Sequence, residues 1–303
     1  MMWPKLSCRS LLFVPSHIEK MMNKAISLDA DCIVLDLEDA VPGESKETAR
    51  IAISQALADE WYGGYRTFVR VNPIDTGLTL IDLMATASKN LRGYIYPMAR
   101  SCKDVEAFAS QLGLIEHELS LPNGHFTIIA LIETPSGLAN VEEIASAPRV
   151  EGLLFGCEDY LAEMRASHLP DHSSILYARS RISNAARASN IVPIDTPFVR
   201  IRELDEMRTF AEVGRSIGMD GMLVLSPSQI DVANQVFGVN HHERERIELI
   251  LEAEKLAREK GRGVILLEDG MFISPPTLKW AKNLNLKIQQ TTQWTEMRNS
   301  PGE

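Results

Sequence analysis

The chain of 303 residues lacks several features that would assign it to a class at once. Its four cysteines, Cys8, Cys32, Cys102 and Cys157, are scattered without CxxC spacing, so neither a zinc motif nor a disulfide framework is indicated. A reducing, cytoplasmic setting is the expectation. No apolar run approaches transmembrane length, and the opening MMWPKLSCRS lacks the apolar core of an export signal, which argues for a soluble protein that is not exported. Positive charge is also short: 31 Lys and Arg against 41 Asp and Glu leave a net −10. Such a surface offers little to nucleic acid or to an anionic membrane, although a local basic cleft stays compatible with it.

Familiar catalytic frames are missing as well. No GxGxxG follows the first apolar run, which removes the main support for a dinucleotide fold. Ser136 in TPSG has no GxSxG frame around it and is not a nucleophile elbow. None of the seven histidines falls at a strand end with metal-ligand spacing, and His241 with His242 opens an exposed helix, so histidine catalysis has no support.

What is present is an alternation. Eight short apolar runs read as strands: Leu11 to Val14, Cys32 to Leu37, Thr67 to Val71, Gly93 to Tyr96, Ile128 to Ile132, Gly152 to Phe155, Ile191 to Ile194 and Met222 to Leu225. Several carry no polar alternation, as expected of parallel strands buried on both faces. Helical patterns lie between them, including Lys46 to Ala58, Ile175 to Ala188 and Leu204 to Ile217. Eight strands with intervening helices predict an α/β chain folded as a (β/α)8 TIM barrel, with the active site at the C-terminal strand ends; a doubly wound sheet is the fallback. Residues 1–237 form the expected barrel. Residues 238–303 form a C-terminal helical extension: a charged helix from Glu243 to Lys260, a short helix around Leu278 to Leu284 and a polar, loosely held end from Thr291. Having no further strand to add, this segment is expected to cover the rim or to reach a neighbouring subunit.

The strand ends are acidic. Glu133 closes the fifth run and Asp159 lies just past the sixth, one βαβ crossover apart, so the two should converge on the same rim. Hard oxygen donors with few competitors suit Mg2+; an N-cap role for Glu133 and a solvated loop position for Asp159 are the alternatives. LDLEDAVP after the second run adds Asp36, Glu38 and Asp39. Asp36 and Glu38 share a face by the strand period and either hold metal-bound waters or cap the helix near Ser45. FVRVNP places Arg70 at the third strand end, where a bidentate guanidinium suits a substrate carboxylate or a salt bridge to the same acids. Arg9 and Lys46 are candidate contacts for a larger anionic part of the substrate, with a solvated flank as the alternative for each. In YARSR, Arg179 and Arg181 point to different helix faces, and one of the segment's cations is a candidate to reach the rim.

Taken together, RSLLFVP, ADCIVLDLEDAVPGESKETAR, VRVNPIDT, LIETPSGLAN, GLLFGCEDYLAE and ILYARSRISNAARASN resemble the citrate lyase beta subunit (CitE-like) family of the HpcH/HpaI aldolases, in order, over most of residues 9–190. The resemblance implies a TIM barrel that binds Mg2+ through Glu133 and Asp159, with Arg70 holding the carboxylate and carbonyl end of the substrate. It implies carbon–carbon lyase or aldolase chemistry on a small 2-oxo or 2-hydroxy acid, with or without a CoA or acyl-carrier thioester. It further implies a homo-oligomer, trimeric or hexameric, in which the C-terminal arm of one subunit covers the site of the next. In that family a C-terminal DGxMIDxP word carries the aspartate that serves as proton donor. Here the word reads Asp269, Gly270, Met271, Phe272, Ile273, Ser274, Pro275 and Pro276, so Ser274 stands at the aspartate's position. A serine hydroxyl is no acid or base near neutral pH without a partner; Asp269 would substitute only if the arm shifted register. Met98 replaces the lysine of a PK word, Met222 and Ser226 replace the lysine and histidine of a GKxxIHP word, and Cys157 replaces a small residue beside the metal acids. These departures keep open a second reading: a catalytically weak, carboxylate-binding or regulatory homologue.

Overall fold

The computed structural model describes residues 3–58, 64–259, 265–266 and 272–299. Two compact units divide the chain, Met1–Phe237 and Gly238–Glu303. In the first, eight parallel strands close into a barrel: β1 (Ser10–Pro15), β2 (Cys32–Asp36), β3 (Gly64–Arg70), β4 (Leu91–Tyr96), β5 (Thr127–Ile132), β6 (Val150–Phe155), β7 (Val192–Asp195) and β8 (Gly221–Val224). Closure comes from β1 pairing β8, with Ser10 opposite Met222 and Leu12 opposite Val224. Every residue of β2 and β4 is buried, because one face fills the barrel and the other meets the helices. Tyr94, Phe108 and Phe126 interlock in that outer layer, with Tyr94 edge-on to both phenylalanines.

The covering helices are α1 (Glu19–Ala25), α2 (Lys46–Ala58), α3 (Thr79–Thr86), α4 (Cys102–Glu118), α5 (Pro135–Ala139), α6 (Val141–Ala145), α7 (Cys157–Met164), α8 (Ser173–Ala188), α9 (Leu204–Ser216) and α10 (Pro227–Phe237). The helical stretches read from the sequence include none over α5, α7 or α10. The apolar positions of α10 are broken up by Gln229, which is nevertheless fully buried. Its amide accepts from the backbone N–H of Leu225 and Ser226 and donates to Phe198 O, so a polar residue closes the helix start from inside.

The second unit contains α11 (His241–Glu259), the two-residue antiparallel strands β9 (Ile265–Leu266) and β10 (Phe272–Ile273), and α12 (Pro275–Asn299). Ile247, Ile250, Ile273 and Ala281 form its core. The last helix is much longer than the expected Leu278 to Leu284: it continues through the polar stretch from Thr291 to Asn299. Trp294, only 1% exposed, supplies the burial that holds this turn, which a polar composition hides. Asp269 lies outside the described residues.

Candidate active site

Parallel strands deliver their C-terminal ends to one rim, and here those ends are charged. Asp36 and Arg70 are the last residues of β2 and β3 and face each other in the ladder. Arg70 Nε and Nη2 donate to the two Asp36 carboxylate oxygens at 2.6 and 2.7 Å, a bidentate pair with Asp36 wholly buried. The same carboxylate accepts from the backbone N–H of Glu38 and Ala40 at 3.1 Å each. Asp36 therefore fixes both the arginine and the acidic loop, and no side chain caps the 3-10 turn at Gly43–Ser45.

The other face of the guanidinium is less committed. Its Nη1 lies 2.7 Å from Glu38 Oε2 and 3.2 Å from Asp39 Oδ2, and its carbon stacks 4.9 Å from the Phe13 ring centroid. Glu38 Oε2 is buried and, despite that short approach, makes no well-directed hydrogen bond. Burial pushes the Glu38 carboxyl up to about 9, opposed by Arg70 and reinforced by Glu133, Asp39 and Asp36.

Glu133 follows β5 and is 3% exposed. The N-cap of α5 is Thr134, whose Oγ1 accepts from Gly137 N at 2.9 Å, so the capping role considered for Glu133 belongs to its neighbour. Glu133 Oε1 instead accepts from the backbone N–H of Met98 at 2.7 Å, where Met98 adopts a left-handed φ of 51°. Gly156 leaves room for it: a Cβ there would lie 2.8 Å from both Glu133 Cβ and Oε2. Burial raises the Glu133 carboxyl to about 7, with Met98 and Arg70 opposing and Asp159 and Asp39 adding to the rise. Asp159 is not in a loop but in the first turn of α7, where acids favour the helix dipole. Its carboxyl is also raised, first by burial, then by Asp39. These reciprocal influences mark Asp36, Glu38, Asp39, Arg70, Glu133 and Asp159 as one electrostatic cluster. A buried carboxylate in a cradle that only glycine permits, coupled to a second, more open one, fits a hard divalent cation such as Mg2+ in donor chemistry.

Other expected residues fall elsewhere. Arg9 precedes β1 and so sits at the N-terminal end of the barrel; its guanidinium pairs with the buried Asp31 at 2.7 and 2.8 Å, and the fold does not bring it to the rim. It belongs with Arg66, which donates to the carbonyls of Ala30 and Ile26, and Arg92, which pairs with Glu151 at 2.6 Å. Lys46 gives its ammonium to Leu37 O, Glu38 O and Asn72 Oδ1 at 2.8, 3.1 and 2.6 Å, so all three donors tie the loops after β2 and β3 together. Of the YARSR cations, Arg179 is buried against Asp195 and Arg181 pairs with Glu142 on the surface. Two partners escaped the sequence reading: Asn72, whose side chain and backbone N–H both donate to Asp82, and the Met98 amide. FVRVNP held the signal for Asn72; a backbone donor leaves none.

A closed parallel barrel with an arginine and several carboxylates gathered on its C-terminal rim defines a TIM-barrel enzyme. Residues 9–227 match the model of the HpcH/HpaI aldolase/citrate lyase family. The citrate lyase subunit beta of Haemophilus influenzae is 31% identical over 275 residues, covering 90% of this chain and 94% of that one. A (3S)-malyl-CoA thioesterase of Cereibacter sphaeroides is 32% identical, with 88% and 89% covered. Among solved structures, CitE from Mycobacterium tuberculosis, in complex with magnesium, acetoacetate and coenzyme A, superposes with a TM-score of 0.74 at 26% identity and covers 94% of this chain and 100% of that one. The chain belongs to the HpcH/HpaI aldolase/citrate lyase family, as a citrate lyase beta subunit-like carbon–carbon lyase.

Proposed function

We propose that the protein makes or breaks a carbon–carbon bond next to a small 2-oxo or 2-hydroxy acid, with Mg2+ held by Glu133 and Asp159 and with the second fragment carried as a CoA thioester. The observation that carries this reading is the rim itself: an arginine clamped by a buried aspartate beside two carboxylates whose pKa values are raised. Mg2+ in that position supplies Lewis-acid polarisation of a substrate oxygen.

The chain's own residues supply the rest. Asp36 holds Arg70 in one orientation. Arg70 exchanges the exposed Asp39 for the substrate's carboxylate, which binds the acid end and sets its direction. The Glu38 carboxyl, an acid up to about pH 9, keeps a proton beside that guanidinium at neutral pH and can deliver it to the fragment that departs as a carbanion.

The second reading, a carboxylate binder with weak turnover, draws on Ser274. Its hydroxyl is 2.9 Å from Thr277 Oγ1 and accepts from Thr277 N at 3.4 Å, which makes it the N-cap of α12 in place of a free acid. One experiment separates the two. The purified protein with Mg2+ is incubated with malyl-, citramalyl- and citryl-CoA, release of the oxo acid is followed, and oxo-acid binding is titrated in parallel. Turnover of any one of them supports the lyase; binding of pyruvate or oxaloacetate without turnover leaves the binder. Glu133→Ala and Asp159→Ala should each abolish Mg2+-dependent binding, and unchanged affinity in either removes the metal assignment.

A further inference from the structure

One cluster beside the oxygen-only pair combines three donor types. Cys157 and Glu158 are the first two residues of α7. The helix stops at Arg165, in a left-handed conformation at φ 54°, and Ala166 N returns to Leu161 O at 2.9 Å. This reversal carries His168 back to the helix start. Its Nε2 lies 3.0 Å from Glu158 Oε1, and Cys157 Sγ lies 3.6 Å from the same oxygen. All three ligand atoms fall within 4.8 Å of one another.

We propose that Cys157, Glu158 and His168 form a binding site for a borderline-soft divalent cation, Zn2+ first among them, with water completing the shell. Bonds of about 2.0–2.3 Å in a tetrahedral N/O/S set place donors roughly 3.3–3.8 Å apart. The Cys157–Glu158 separation of 3.6 Å lies inside that range, the His168–Glu158 separation of 3.0 Å falls short of it, and rotation of the solvent-open partners adjusts the rest: the side chains of His168 and Glu158 are 38% and 53% exposed. Cys157 is 2% exposed and forms the inner wall. Its backbone N–H donates to Thr196 Oγ1 at 3.1 Å, which pins the residue that presents the sulfur. On coordination the thiol would lose its proton to solvent and the imidazole would bind through neutral Nε2, with water in the fourth position. Sulfur and nitrogen donors select Zn2+ over Mg2+, whereas Glu133 and Asp159 offer oxygen alone.

The test uses the full chain after chelator treatment, titrated with Co2+ as a spectroscopic stand-in for Zn2+. The expected result is a thiolate-to-cobalt charge-transfer band that saturates at one equivalent, is displaced by Zn2+ and is indifferent to Mg2+. Cys157→Ser should remove the band, and His168→Ala should weaken Co2+ binding by roughly tenfold or more. Circular dichroism checks that both variants fold. A band that survives Cys157→Ser belongs to Cys8, Cys32 or Cys102 and overturns the proposal, as does the lack of any band or unchanged affinity in His168→Ala. Glu133→Ala should leave the band intact, so failure of the lyase reading and failure of this site are separately visible.

Discussion

Glu133, 3% exposed, is the more shielded of the two carboxylates proposed to hold the metal, and the fold opposes its ionisation. Burial lifts its carboxyl from 4.5 to about 7. Protons and Mg2+ compete for the same oxygens and only the carboxylate binds metal, so Mg2+ affinity should be full above about pH 7 and fall below it. Calorimetric titration should find binding roughly tenfold weaker at about pH 6 than at about pH 8; a flat profile would place the metal elsewhere. Stability of the metal-free protein runs the other way. The unfolded glutamate ionises near 4.5 and the folded one near 7, so the folded state binds more protons in that window and loses stability as pH rises through it. Glu133→Gln should abolish that loss and raise the melting temperature above pH 7, by a free energy on the order of 1–3 kcal/mol.

The junctions between elements decide whether the site forms. Between β6 and α7 the chain must pass Glu133 at a distance that admits no Cβ, since one on Gly156 would sit 2.8 Å from two Glu133 atoms. Gly156→Ala should therefore displace the carboxylate and weaken Mg2+ binding by at least about tenfold while the barrel still melts cooperatively; calorimetry and thermal denaturation read the two effects apart. At the start of α12 the constraint is softer. Serine and aspartate are comparable N-caps, so Ser274→Asp should leave the melting temperature almost unchanged and restore a carboxylate at that position. If a carboxylate at that position transfers the proton more effectively than Glu38, turnover should rise by about 100-fold; an inert variant would show that the serine is not what limits the thioester reaction.

At the scale of the whole molecule, the unit formed by residues 238–303 exposes apolar side chains that a lone chain gains nothing by exposing. Leu249, Phe272, Trp280 and Leu286 are 57%, 56%, 41% and 54% exposed. We propose that a neighbouring subunit covers them in a homo-oligomer. Light scattering after gel filtration should give a trimer or hexamer at micromolar concentration, and a clean monomer would count against a swapped arm.

Much of the barrel was legible from composition and period. Eight apolar runs foretold eight strands to within a few residues, because a parallel strand buried on both faces leaves an unbroken apolar word. The strand-end positions of Asp36, Arg70 and Glu133 followed, since parallel strands share a rim. What the sequence could not hold is any contact made by a backbone atom or by a chain reversal: the Met98 amide on Glu133, the three-oxygen grip on Lys46 and the location of Arg9 at the opposite end of the barrel. The polar end of α12 reads as loose until Trp294 is seen buried. His168 had no ligand spacing to betray it, because it meets Cys157 and Glu158 only after α7 has ended and turned back. The sequence by itself determined which residues end the strands, through periodic burial. Only the tertiary structure decided which partners those residues meet, because hydrogen-bond direction, excluded volume at a missing Cβ and distance through space have no period along the chain.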